Sequence, residues 1–104
     1  MAKTQGIYFK THESRYGLMV AACDADVLGK HLKFNKIDFF VNPRFYQKDK
    51  TNKAGLLVIL KRAASCNLVG KDAVAAGVDS GLVEEKNVIK IGKVPHAQAV
   101  VIIL

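Results

Sequence analysis

The chain has no tryptophan, two prolines and two cysteines in 104 residues, and each scarcity narrows the chemistry. Cys23 and Cys66 are far apart and form no C-x-x-C pair. That falls short of a disulfide scaffold and of the closely spaced ligands of a structural zinc site. Both lie among apolar residues, which favours buried free thiols, with a single bridge as the alternative. His12, His31 and His96 are scattered without metal spacing. A mixed site of Cys23, Cys66, His31 and His96 is chemically reasonable, but no spacing calls for it, so no metal and no cofactor is expected. No serine sits in a nucleophile elbow, and no catalytic residue is assigned. Asn67-Leu68-Val69-Gly70-Lys71-Asp72 lacks the first glycine of a phosphate loop and has Asp where Ser or Thr would hold magnesium. No apolar run approaches the roughly 18 residues that cross a bilayer. The first six residues lack the apolar core of a secretory signal. The expectation is a cytoplasmic protein with no membrane partner.

What is present is ordinary globular composition, 50% hydrophobic and 24% charged, in a length that suits one domain over residues 1–104. The charge is unevenly placed. Between residues 30 and 62, Lys30, Lys33, Lys36, Arg44, Lys48, Lys50, Lys53, Lys61 and Arg62 face only Asp38 and Asp49, so this segment carries the whole net charge of +7. A segregated excess of cations favours a polyanionic partner, because each neutralised phosphate releases counterions. The alternative is a solvated, solubilising surface.

Residues 7–12 and 18–23 read as an antiparallel pair of strands joined by a polar connection ending in Gly17. Asp24 suits the cap of a short helical turn over 25–28, with Gly29 as its stop. Residues 33–41 read as a third strand with Ile37, Phe39 and Val41 on one face. Asn42-Pro43 begins a turn with Asn as cap and Pro at the first helical position. Arg44-Phe45-Tyr46-Gln47 leads into a polar loop over 48–53. An aromatic beside Arg and several Lys suits single-stranded nucleic acid, since bases stack on rings while cations hold phosphates. Leu56, Ile59, Leu60, Ala63 and Cys66 recur at three- and four-residue steps, which predicts a helix over about 52–69 capped by Thr51 or Asn52. A second helix spans about 71–80, with Gly81 as stop and Leu82 folding back onto it. Free backbone N–H groups after Gly70, with Lys71, offer one phosphate-sized site.

At the end of the chain, Val88-Ile89-Lys90-Ile91 and Val100-Val101-Ile102-Ile103-Leu104 read as strands. Gly92-Lys93-Val94-Pro95-His96-Ala97-Gln98 is expected between them as a stiff loop presenting His96 and Gln98. The fold class is α+β: an antiparallel or mixed sheet of about five strands in the order β-β-β-α-α-β-β, with two helices on one face.

The sequence also resembles an archaeal family of small proteins, domain of unknown function 424, described as predicted RNA-binding. The matching pieces are Val20-Ala21-Ala22-Cys23-Asp24 with Leu28-Gly29-Lys30, then Asn67-Leu68-Val69-Gly70 with Ala73-Val74. Gly81-Leu82-Val83 follows, then Val88-Ile89 with Ile91-Gly92, and the specific Val94-Pro95-His96-Ala97-Gln98. The resemblance implies an archaeal cytoplasmic protein linked to translation or the ribosome, and carries over no catalytic residue.

Three functions follow as expectations. The leading one is a non-catalytic RNA-binding protein, most simply on ribosomal RNA. Its contacts would be Lys30, Lys33, Lys36, Arg44, Tyr46, Lys48, Lys50, Lys53, Lys61, Arg62, Lys71, Lys93, His96 and Gln98. Ribosomal proteins or translation factors are further partners. The second is a protein–protein adaptor using the 92–98 loop and a sheet edge. The third is a small enzyme with His96 as general base.

Overall fold

Alternation in the first two strands sets the architecture. β1 (Ile7–Ser14) and β2 (Gly17–Asp24) pair antiparallel from Ser14↔Gly17 to Ile7↔Asp24. Ile7, Phe9, Leu18, Val20 and Ala22 enter one core, while Tyr8, Met19, Ala21 and Cys23 enter another on the opposite face. The computed structural model, which describes residues 6–102, is therefore a sheet covered on both sides. Its six strands are mixed in direction, and a separate two-stranded hairpin lies apart from them.

After β2, residues Ala25–Val27 form a single 3-10 turn, as the sequence suggests, but Asp24 makes no side-chain cap to it. The third strand is not one strand. It is a hairpin, β3 (His31–Phe34) and β4 (Ile37–Phe40), closed by Asn35-Lys36. Asn35 has φ 56°, the left-handed conformation that Asn adopts readily and that two-residue hairpins require. α1 (Pro43–Tyr46) starts as expected, with Asn42 Oδ1 accepting the Arg44 N–H at 3.0 Å. The expected polar loop over 48–53 contains β5 (Asp49–Thr51), an edge strand antiparallel to β1.

α2 (Lys53–Leu60) is capped by Asn52, whose Oδ1 accepts from the Gly55 N–H at 2.8 Å. It ends nine residues short of the sequence expectation. The chain turns at 61–64, the Ala64 N–H donates to the Leu18 carbonyl at 2.8 Å, and β6 (Ser65–Val69) enters the sheet parallel to β2. Cys66 and Leu68 face the helices while Val69 faces away, so the three- and four-residue spacing conceals a strand alternation. α3 (Lys71–Asp79) follows, and Leu82 packs on the core beyond it as expected.

β7 (Ile89–Ile91) and β8 (Val94–Val100) close the sheet in the order β5-β1-β2-β6-β8-β7. The expected loop over 92–98 is reduced to the turn Gly92-Lys93, because Ile91 pairs directly with Val94 and Ile89 with His96. The expected final strand over 100–104 is displaced toward the N-terminus. Val101 and Ile102 lie beyond β8 and are exposed, and residues 103–104 fall outside the described residues.

α2 and α3 cover one face of the sheet, where Leu56, Leu60, Leu68 and Val20 are fully buried. Each such side chain contributes about 1.5–3 kcal/mol of hydrophobic stabilisation. The β3–β4 hairpin and α1 cover the other face, around Val27, Val41, Tyr46 and Val69.

Candidate nucleic-acid interface

The hairpin and α1 form a thin layer whose inner side is apolar and whose outer side is not. Leu32 and Phe39 are cross-strand neighbours turned toward the core. The alternate positions His31, Lys33, Asp38 and Phe40 therefore face outward. His31 stacks on Phe40 with ring centroids 4.6 Å apart, and its Nδ1 pairs with Asp38 Oδ1 at 2.9 Å. Phe40 is 41% exposed and Phe34, at the hairpin tip, 48%. Phe40 keeps one ring face open beyond His31, and Phe34, on the Leu32 side of the hairpin, is half-exposed at the tip; partly exposed rings near lysines suit base stacking.

The hairpin tip meets the far edge of the sheet. A Cβ placed on Gly92 would sit 3.1 Å from the Lys33 carbonyl oxygen, and Gly92 has φ +66°. That close approach sets the hairpin that carries Lys33 and Lys36 against the β7–β8 turn that carries Lys93. Lys30 stands at the hairpin base, where its carbonyl accepts the Val41 N–H at 2.9 Å.

At the other end of the same face, α1 lies on β1. His12 stacks on Phe45 at 4.8 Å and donates through Nε2 to the Phe45 carbonyl at 3.0 Å. Lys10 Nζ donates to the Arg44 carbonyl at 3.0 Å, and Lys50 Nζ lies 5.3 Å from the centre of the Tyr8 ring. Tyr8 and Lys50 are paired across β1 and β5, so they share this face. Lys48 precedes β5, its N–H held by the Phe9 carbonyl. Among the described residues, the ion pairs are His31–Asp38, Lys53–Asp79 and Lys86–Glu84. None of Lys10, Lys30, Lys33, Lys36, Arg44, Lys48, Lys50 or Lys93 has a carboxylate within ion-pair distance there.

The remaining expected contacts divide differently. Lys53 pairs with Asp79 at 3.1 Å. Lys61 and Arg62 follow α2, and Lys71 opens α3, the two helices that cover the other face of the sheet, where Asp72 and Asp79 of α3 also lie. The phosphate-sized site at α3 is closed. Asp24 Oδ2 accepts the Asp72 N–H at 2.9 Å and Oδ1 the Ala73 N–H at 2.8 Å, so a carboxylate of the chain fills the helix N-terminus. Burial raises the Asp24 pKa, against the lowering effect of those two hydrogen bonds. Gly70, at φ +110°, has no room for a Cβ, which would run into the Asp24 carboxyl group.

Tyr46 is only 2% exposed and offers no face to a base. Its ring fills the core under α1, and its hydroxyl donates to Asn67 Oδ1 at 2.7 Å. His96 is 5% exposed, in mid-strand and not on a loop. The Leu68 carbonyl only accepts, so His96 Nδ1 is the protonated nitrogen that donates to it at 2.8 Å. Nε2 is then an acceptor and takes the Gln98 side-chain N–H at 3.3 Å. Burial lowers the His96 pKa, opposed by the Leu68 carbonyl. Both ring nitrogens are committed within the fold, which leaves none free to serve as a general base.

Gln98 is exposed and directly opposite Asn67 in the β6–β8 register. The two border an open groove of about 530 Å³ that Met19, Ser65, Asn87, Val100 and one carboxylate, Glu84, also line. Sequence reading missed Asn67, which it placed on a helix, and Lys10 and Tyr8. The alternation of 7–12 was the signal that would have put Lys10 and Tyr8 on one face. Cys23 and Cys66 are free and enter opposite cores, their thiols pushed up to about 12 and about 11, in each case chiefly by burial. Among the described residues, no three His, Cys, Asp or Glu side chains are placed to hold a metal. No described helix is long and apolar enough to cross a membrane.

Comparison with known proteins bears on the family and the fold. The family described as "Protein of unknown function (DUF424)" matches residues 12–102. No curated protein matches the sequence. The fold is similar to the crystal structure of an uncharacterized conserved protein from Methanopyrus kandleri. The TM-score is 0.80 at 23% identity, over 94% of this chain and 95% of that one.

Proposed function

The chain belongs to the DUF424 family of proteins of unknown function, and from that premise we propose that it is a non-catalytic RNA-binding protein of the cytoplasm. RNA lies across the hairpin and α1, with ribosomal RNA as its target and the translation machinery as its setting. One observation carries this reading: eight cations without a carboxylate at ion-pair distance among the described residues belong to or border the layer that carries the exposed Phe34 and Phe40, whereas the similarly unpaired Lys61, Arg62 and Lys71 sit with the helices beside acidic residues. Lys30, Lys33, Lys36 and Lys93 hold phosphates near the hairpin, and Lys10, Arg44, Lys48 and Lys50 hold them near α1. Phe34 and Phe40 take the bases. Lys53, Lys61, Arg62 and Lys71 belong to the opposite face and are not part of the site.

The test is binding of a fluorescent single-stranded RNA across a salt series. With about six phosphates neutralised, log affinity falls with log salt at a slope of about −4. Phe40→Ala weakens binding without changing that slope, while Lys33→Glu/Lys36→Glu reduces it. A slope near zero removes the reading.

A second reading, a protein–protein adaptor, has its own observation. β7 pairs with β8 only as far as His96, and Val100, Val101 and Ile102 are exposed beyond that point. An unpaired strand edge flanked by apolar side chains suits strand addition by a partner. Such binding persists at high salt and is lost when Val100 is replaced by Lys.

A further inference from the structure

The groove beside Asn67 and Gln98 lies outside the basic layer but touches it on two sides. Tyr46 of α1 reaches it through Asn67, and Phe39 of the hairpin stands 5.2 Å from His96, which holds Gln98. Asn67 and Gln98 are cross-strand partners on the sheet face that carries this layer, so their side chains stand side by side. Each is tied at one end. Tyr46 takes the Asn67 oxygen and leaves its NH2 group available. The orientation of Gln98 follows from His96: the Leu68 carbonyl fixes the protonated nitrogen, so Gln98 must turn its N–H inward and its oxygen outward. The groove is thus offered a donor beside an acceptor, held by buried groups. Met19 stands one row along, opposite Ser65 in the β2–β6 register, and supplies a polarisable apolar wall.

We propose that this groove binds one unstacked nucleobase of the RNA strand, with the Asn67 NH2 and the Gln98 oxygen paired to its hydrogen-bonding edge and Met19 against its ring. The inference rests on the RNA reading above and deepens it. Phosphate and stacking contacts set affinity, and this groove sets base preference. The groove volume lies within the range of about 300–1,000 Å³ usual for small-ligand sites.

The experiment measures binding of nine-nucleotide oligo(A), oligo(C) and oligo(U), equal in charge, by the wild type and by Gln98→Leu. The wild type separates best from worst by about tenfold, the order expected for one paired base edge. Gln98→Leu, a change of similar size at an exposed position, brings the three affinities within about twofold and leaves the salt slope unchanged. In parallel, the side-chain NH2 resonance of Asn67 in the wild type moves when the preferred oligomer is added. Equal affinities in the wild type, an unchanged ratio in the variant, or a static Asn67 resonance overturns the base site while RNA binding itself stands. Failure of every oligomer to bind removes both readings.

Discussion

Tyr46 and His96 have chemistry suited to a surface site, yet the fold uses both to tie its layers together. Tyr46 joins α1 to β6 through Asn67. Removing that hydroxyl leaves a half-buried acceptor without its donor, so Tyr46→Phe is expected to cost about 1–3 kcal/mol in urea unfolding with RNA affinity little changed. His96 gives a pH signature. Its folded pKa lies below the ordinary 6.5 because burial disfavours the imidazolium. The unfolded chain therefore takes up the proton first. The stability from neutral His96 is fully present above pH 6.5 and is lost as pH falls from there through the folded value. Melting curves are expected to show His96→Gln losing less stability than the wild type across that acidic window.

Asp24 shows how one side chain governs an element far away in sequence. It looks like the cap of the turn that follows it, but it satisfies two N–H groups at the start of α3. Asp24→Ala is expected to lower unfolding free energy by about 1–2 kcal/mol, and Asp24→Asn by less, since the amide keeps one acceptor. Sequence reading works at this scale where a local rule is strong. The β1–β2 pair follows from alternation and Gly17, and Asn42, Asn52 and Gly81 end or begin elements where their chemistry says. It fails where two periodicities overlap. Leu60, Ala63 and Cys66 continue a helical spacing across a turn, and only pairing with β2 and β8 reveals Cys66-Asn67-Leu68-Val69 as a central strand. Likewise Pro95 suggests a loop, whereas the chain accepts it in β8, where its carbonyl takes the Gly70 N–H at 2.8 Å.

Across the whole molecule, the sheet separates cations that lie close together in sequence. The sequence reveals an excess of cations between residues 30 and 62, but not that Lys61 and Arg62 leave the end of α2 on one side while Lys30, Lys33, Lys36 and Arg44 belong to the hairpin and α1 on the other. Lys10 and Lys93 lie outside that segment; Lys10 joins the hairpin face through its pairing opposite Ala21 and its bond to the Arg44 carbonyl, and Lys93 adjoins it at the close approach of Gly92. On the proposed function, RNA binds this face. That binding is tested most directly by comparing two triple charge reversals over one salt series. Lys33→Glu/Lys36→Glu/Arg44→Glu alters the hairpin face, and Lys61→Glu/Arg62→Glu/Lys71→Glu alters the helical face by the same net charge. The first variant is expected to lose most single-stranded RNA affinity and to flatten the salt slope, while the second stays within a few-fold of wild type. Equal losses in both, or a larger loss in the second, would contradict the proposed function.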